Sequence, residues 1–420
     1  MRRYSAILLA VLIWIGSFTN QAAAQVEPPA VVSESAVLMD AETGQVLYEK
    51  SMYMQLYPAS ITKILTALLA LENGRLNDNL TMSGEAVYSI KRGSSNIALE
   101  EGEQITLEQA VMAAMLPSAN EACNGIAEHI SGSMANFSQL MNRRACQAGA
   151  LNSNFVNPSG LHDPNHLSTA YDMAMITRAA LKYDKFREII GTVRYTIPPT
   201  NKKTEARDLW SEHRMLTTNL YYYEGVIGGK TGYTQEARNT LVTVARRGER
   251  ELIAVVMRSD NYAGYKDTIA LFDYGFNEFV ETGIVPAIPA SGDAALIQEV
   301  LNQHQDLKIN RLLRKGMSPQ EITTDYELVE NDPFKQPDLL VKLRINNGSS
   351  QMYPDLGSVY LTNASPKAAE NSWTGPALDI LKVLAYIVLS MVVILLLVKW
   401  FFKLRRRRTE RYRLRPLNRK

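Results

Sequence analysis

Three short clusters in this chain can do chemistry together. Ser60 and Lys63 stand three apart at the expected start of an apolar helix, a spacing that puts both side chains on one face about one turn apart. A serine hydroxyl is a poor nucleophile until a base takes its proton. A lysine amine serves when desolvation or a nearby cation lowers its pKa. Ile61, Ile64, Leu65 and Leu68 surround the pair with apolar side chains, so Lys63 is expected to be desolvated; the plain alternative is a solvated helix face. The helix start also aims free N–H groups at a developing oxyanion.

Ser118-Ala119-Asn120 follows Pro117. A second hydroxyl there can relay a proton between Lys63, Ser60 and a leaving amine, and the Asn120 amide can both donate and accept. The plain alternative is that Ser118 caps the next helix. Ser94-Ser95-Asn96 has the same pattern; Ser118 is preferred because it ends an apolar run, 111–116. Lys230-Thr231-Gly232 follows Gly228-Gly229 on an expected strand. An ammonium and a hydroxyl together hold a carboxylate, and glycines let a peptide lie along an exposed edge. The plain alternative is an edge strand carrying a protective lysine.

Each cluster alone is weak; the ordered set Ser-x-x-Lys, Ser-x-Asn, Lys-Thr-Gly is a penicillin-binding signature. From about residue 36 to 275 the chain resembles the low-molecular-mass penicillin-binding proteins that act as D-alanyl-D-alanine carboxypeptidases. The likeness rests on Pro58-Ala59-Ser60-Ile61-Thr62-Lys63, Met115-Leu116-Pro117-Ser118-Ala119-Asn120-Glu121-Ala122, Asn157-Pro158-Ser159-Gly160-Leu161, His166-Leu167-Ser168-Thr169-Ala170-Tyr171-Asp172 and Gly229-Lys230-Thr231-Gly232-Tyr233-Thr234. The resemblance implies Ser60 as nucleophile, Lys63 as base, Ser118 as proton relay and Asn120 as a substrate-positioning group. It implies Lys230 and Thr231 as the grip on a terminal carboxylate, and the backbone N–H groups of Ser60 and Tyr233 as the oxyanion hole. Gly232 belongs to the same substrate-binding segment. Peptidoglycan stem peptides and β-lactams are the implied partners, and no cofactor or metal is expected. Glu121 stands where the family usually has Asp, and Arg238 where Gly is common. A β-lactamase shares all three clusters, but no Glu-x-x-Leu-Asn lies between Ser118 and Lys230. A D,D-endopeptidase and an inactive penicillin-binding sensor or scaffold stay as alternatives.

The surrounding pattern is strands, then helices, then strands. Strands are expected at 36–40 and 45–49, then helices from Ser60 to Asn73 and at 107–116, 119–130, 134–148 and 169–181. Strands return at 225–231, 240–245 and 252–257, the last two around Arg247-Gly248-Glu249. That order predicts an α+β fold of the β-lactamase/transpeptidase-like kind, an antiparallel sheet covered by helices. Residues 25–282 are assigned to the catalytic domain and 283–372 to a small β-rich domain or stalk, with a helix at 296–302 and strands at 339–345 and 359–361.

The ends are read separately. Residues 1–24 have a basic start, a short apolar run and Ala22-Ala23-Ala24, and read as a signal peptide. Residues 378–402 read as a transmembrane helix and 403–420 as a basic cytoplasmic tail, with eleven Lys and Arg from Lys399 onward against one acid, Glu410. The expectation is a single-pass protein of a bacterial cell membrane, its body extracytoplasmic. The formal net charge of +2 hides this segregation: without its basic ends the body is acidic, which argues against nucleic acid as a partner. Cys123 and Cys146 can form one bridge or remain two thiols. The histidines and cysteines carry no zinc spacing.

Overall fold

The computed structural model describes residues 26–286, 294–304, 307–330, 337–345 and 355–363. The elements that form the site belong to one compact unit, Met1–Leu328 with Leu339–Leu361. Its centre is a five-stranded sheet. Val46–Lys50 lies at one edge, followed by Ser35–Asp40, Arg250–Ser259, Arg238–Arg247 and, at the other edge, Val226–Thr234. Every neighbouring pair is antiparallel.

Both faces of this sheet are buried, so its inner strands read as continuous apolar runs rather than as an alternation with polar residues. Side chains still alternate between faces. Val37, Met39, Val242, Val244, Ile253 and Val255 join one core with the helices Lys63–Asn73, Leu107–Met115, Asn120–Ser131 and Ala170–Ala180. Ala36, Leu38, Ala245, Leu252, Ala254 and Val256 join the other with Tyr265, Leu271 and Phe272 of the helix Ala263–Glu278. Each fully buried Val, Leu or Ile adds roughly 1.5–3 kcal/mol over an exposed one.

The expected α+β sheet and its covering helices are present. Helix starts follow local chemistry: Thr106 caps Leu107–Met115 with a capping box to Gln109, and the Thr169 side chain accepts from Asp172 N. The helices Ala263–Glu278 and Asp184–Gly191 were not expected. The first mixes Gly264, Lys266, Asp267 and Asp273 into its apolar pattern, which obscures its period in the sequence.

Beyond the sheet, Phe279–Ile284 pairs antiparallel with Ile309–Arg314. Ile322–Val329, Asp338–Ile345 and Asp355–Leu361 form a three-stranded sheet. With the helix Ala294–Gln303 these enclose a separate core of Ile284, Ile297, Val300, Leu339, Val341 and Leu361. The Gln45 side chain ties the sheet of the body to Leu312 through both its amide oxygen and its nitrogen.

The membrane-anchored reading is corrected. Among the described residues, no helix is long and apolar enough to cross a membrane. The expected transmembrane helix at 378–402, the tail at 403–420 and the signal peptide at 1–24 lie outside the described residues. The span, the membrane as a partner and the single-pass cell-membrane localisation are therefore not carried further. The reading rested on an apolar run of sufficient length and the basic residues that follow it, both of them compositional criteria.

Candidate active site

Ser60 sits in a single 3-10 turn, Ala59–Thr62, that runs into the helix Lys63–Asn73. Ala59 holds a positive φ of 49°, a conformation that costs an L-residue energy and persists only where neighbours enforce it. The neighbours are visible. Gly160, at φ +80°, passes so close that a side-chain carbon there would overlap Ala59 O. Thr240 Oγ1 donates to Pro58 O at 2.8 Å, and Thr62 Oγ1 lies 3.0 Å from His166 Nε2. His166 is pushed down to about 4 by burial, so its ring is neutral near pH 7.

Lys63 is wholly buried, which excludes the solvated helix face. Its Nζ lies 2.9 Å from Ser60 Oγ, 2.8 Å from Asn120 Oδ1 and 2.7 Å from Ser159 O. Burial pushes its pKa below the usual lysine range, against smaller raising effects from Cys123, Glu212 and Glu121. An uncharged amine has two N–H donors and one lone pair. Asn120 and Ser159 take the two donors, which leaves the lone pair for the Ser60 hydroxyl proton. The arrangement can therefore deprotonate Ser60.

Ser118 is buried and has φ +65°. The helix that follows, Asn120–Ser131, is capped by Ala119 without a side-chain hydrogen bond. Capping therefore does not account for Ser118: its hydroxyl has no hydrogen-bond partner among the described residues, and the residue lines the cleft. Of Asn96 and Asn120, the asparagines of the two Ser-x-Asn sequences weighed above, Asn120 is the one that reaches Lys63. Ser95 of the other also lines the cleft, and its carbonyl accepts from Asn120 N at 3.0 Å.

Lys230 lies on the edge strand Val226–Thr234, as the edge-strand alternative requires, yet it is 1 % exposed and so protects no edge from solvent. Burial pushes its pKa down to about 8, with Glu212 opposing and Lys63 reinforcing. Gly232 faces the nucleophile turn: a side-chain carbon there would stand 2.7 Å from Ser60 N. Ser60, Ser118, Thr231, Gly232 and Tyr233 line one cavity of about 650 Å³. The structure thus gathers all three clusters, separated in sequence, around one cleft.

Sequence reasoning missed four contributors. Ser159 lay in a quoted stretch, but nothing marked its carbonyl as a lysine acceptor. Glu212 and Arg214 line the same cleft, and Arg214 is held by a 2.7 Å bond to Tyr262 Oη with its guanidinium 3.9 Å from that ring. His213 is buried beside Gly229, 3.0 Å from Thr243 Oγ1. Only an alignment in space brings the segment 211–214 to the third cluster. Glu121, which replaces the usual Asp, is buried and accepts from Ile97 N at 2.7 Å; Arg238 pairs with Asp260 at 3.0 Å. Cys123 is buried, Cys146 exposed, and both are free thiols.

Residues 22–261 match the family described as D-alanyl-D-alanine carboxypeptidase. The chain belongs to that family. It is thereby a low-molecular-mass penicillin-binding protein with the β-lactamase/transpeptidase fold, and membership supports a serine carboxypeptidase activity in general. Among similar proteins is the D-alanyl-D-alanine carboxypeptidase DacF of Bacillus subtilis, 34% identical over 66% of this chain and 72% of the relative. The crystal structure of a D-alanyl-D-alanine carboxypeptidase from Mycobacterium tuberculosis is 30% identical, with a TM-score of 0.55 over 61% of this chain and 96% of that one. That of a Streptomyces DD-transpeptidase is 29% identical, with a TM-score of 0.55 over 60% and 99%.

Proposed function

We propose that this protein removes the C-terminal D-alanine from peptidoglycan pentapeptides through an acyl-enzyme on Ser60, and that β-lactams acylate the same hydroxyl. One observation carries the reading: a wholly buried lysine amine lies 2.9 Å from the serine hydroxyl, its other donors taken by fixed acceptors.

The substrate's terminal carboxylate is held by Lys230 and Thr231, with Arg214 as a further fixed cation on the cleft. Ser60 Oγ attacks the carbonyl of the penultimate D-alanine as its proton passes to the Lys63 amine. The backbone N–H groups of Ser60 and Tyr233 face the oxyanion. The C–N bond breaks, and Ser118 passes the proton from Lys63 to the departing amine. Asn120 keeps the Lys63 lone pair aimed and contacts the substrate amide. Water then attacks the ester, its proton passing to Lys63; the acyl–Oγ bond breaks, Lys63 returns the proton to Ser60 Oγ, and the shortened peptide leaves as its carboxylic acid.

The test is a pair of assays on the purified protein: covalent labelling by fluorescent penicillin, and release of D-alanine from a pentapeptide ending in D-Ala-D-Ala. Wild type does both and Ser60→Ala neither. Labelling without release from pentapeptide or cross-linked substrate would favour a sensor, and rapid turnover of penicillin a β-lactamase.

A further inference from the structure

The inner face of the helix Lys63–Asn73 and the turn before it are fastened to one irregular segment, 156–166. Thr66 Oγ1 donates to Pro158 O at 2.6 Å and Lys63 Nζ to Ser159 O at 2.7 Å. One turn before Thr66, Thr62 meets His166. The segment is braced from within: Asn157 Oδ1 accepts from Gly160 N at 2.8 Å, and Asn157 Nδ2 donates to Leu161 O at 2.9 Å. His166 bonds in two directions. Its Nδ1 lies 3.2 Å from Val156 N, and because a backbone N–H only donates, Nδ1 carries no proton. Burial, with Lys63 and His162, outweighs Asp163 and keeps the ring neutral, so the ring proton sits on Nε2. Nε2 therefore donates to Thr62 Oγ1 across 3.0 Å. The Phe155 ring, 5.5 Å away and edge-on at 85°, fixes the plane of the imidazole. Thr62 and His166 are both buried, so water does not compete for the bond between them. The turn that this bond holds, Ala59–Thr62, starts without a side-chain cap and contains the left-handed Ala59. Such a turn keeps its shape only where neighbours impose it.

We infer that His166 is a positioning residue for the nucleophile: its Nε2–H holds Thr62 and, through Thr62, the turn that sets Ser60 Oγ against the Lys63 amine. The amine is tied to Asn120 Oδ1 and Ser159 O, so it does not follow a serine that drifts. The turn itself must be placed, and Thr62 is the residue of that turn next to Lys63. The imidazole thus does two separable things. Through Nδ1 it shapes its own segment, which is structural; through Nε2 it aligns the attacking hydroxyl. The inference rests on the acyl-enzyme reading above, because the placement of Ser60 matters to rate only if its hydroxyl attacks.

Two amide substitutions separate these roles. In His166→Asn the side-chain oxygen replaces Nδ1 and accepts from Val156 N, and nothing reaches Thr62. In His166→Gln the side-chain nitrogen replaces Nε2 and donates to Thr62, and Val156 N loses its acceptor. The time course of labelling by saturating fluorescent penicillin is measured beside thermal melting. The proteins are wild type, both variants, Thr62→Val and the double variant of His166→Asn with Thr62→Val. His166→Asn and Thr62→Val are each expected to acylate about a hundredfold more slowly, the cost of a misplacement of about 1 Å, and His166→Gln to stay within about tenfold of wild type. The double variant should be no slower than the slower single one, because both changes remove the same bond. Equal losses in His166→Asn and His166→Gln, or rates that follow the melting temperatures, would make His166 a structural residue and overturn the inference. Losses that multiply in the double variant would overturn the route through Thr62. Absence of labelling in wild type would instead sink the acyl-enzyme reading.

Discussion

Replacing Gly232 by alanine tests the geometry most directly, because it removes no reactive group. The added methyl would lie 2.7 Å from Ser60 N and 3.1 Å from Ile61 N, and closer still to Thr240 Oγ1. Ordinary carbon contacts with such atoms begin near 3.4 Å. None of the three neighbours can swing aside. Two are backbone nitrogens of the nucleophile turn, and Thr240 is held by its bond to Pro58 O. The edge strand, which among the described residues pairs with no strand on its outer side, must yield, by something under about 1 Å, carrying Thr231 and Tyr233 with it. A misplacement of about 1 Å costs roughly a hundredfold in rate, while an overpacking strain of about 1–3 kcal/mol leaves the body folded. Gly232→Ala is therefore expected to acylate with fluorescent penicillin about a hundredfold more slowly, with a lowered but cooperative melting transition. Acylation within threefold of wild type in a folded variant would show that the strand's closeness to Ser60 does not matter.

Other outcomes follow from the same geometry. Lys230 is charged below about 8 and neutral above it, so KM for a pentapeptide should rise as pH passes upward through about 8. Lys230→Arg should move that rise to higher pH, and a KM flat from pH 7 to 9 in wild type would contradict it. Ser118→Ala removes a hydroxyl with no hydrogen-bond partner among the described residues, so denaturation should shift little while D-alanine release falls about 10²–10⁴-fold. Gly160→Ala forces a side chain onto a left-handed residue against Ala59 O and should cost about 2–4 kcal/mol in denaturant unfolding. Both cysteines are free, so a reductant should leave the melting temperature unchanged.

Most of the chemistry was legible in the amino-acid string because reactive groups obey local spacing. Ser60 and Lys63 share a face by helix geometry alone, and apolar neighbours announced that the lysine would be buried. Strand and helix order announced a sheet covered by helices, since each element must bury one face. Three things required the folded chain. Whether Ser118 capped a helix or faced a cleft depends on a backbone angle of +65° that no composition reveals. The contributions of Ser159 and Arg214 depend on strands and loops far apart in the chain being brought into register, and register is a property of pairing rather than of any one segment. The membrane span was a reading of composition, and the described fold supplies no such helix. Local spacing determines what a group can do; packing determines which of those groups meet, because only burial removes the water that would otherwise satisfy them.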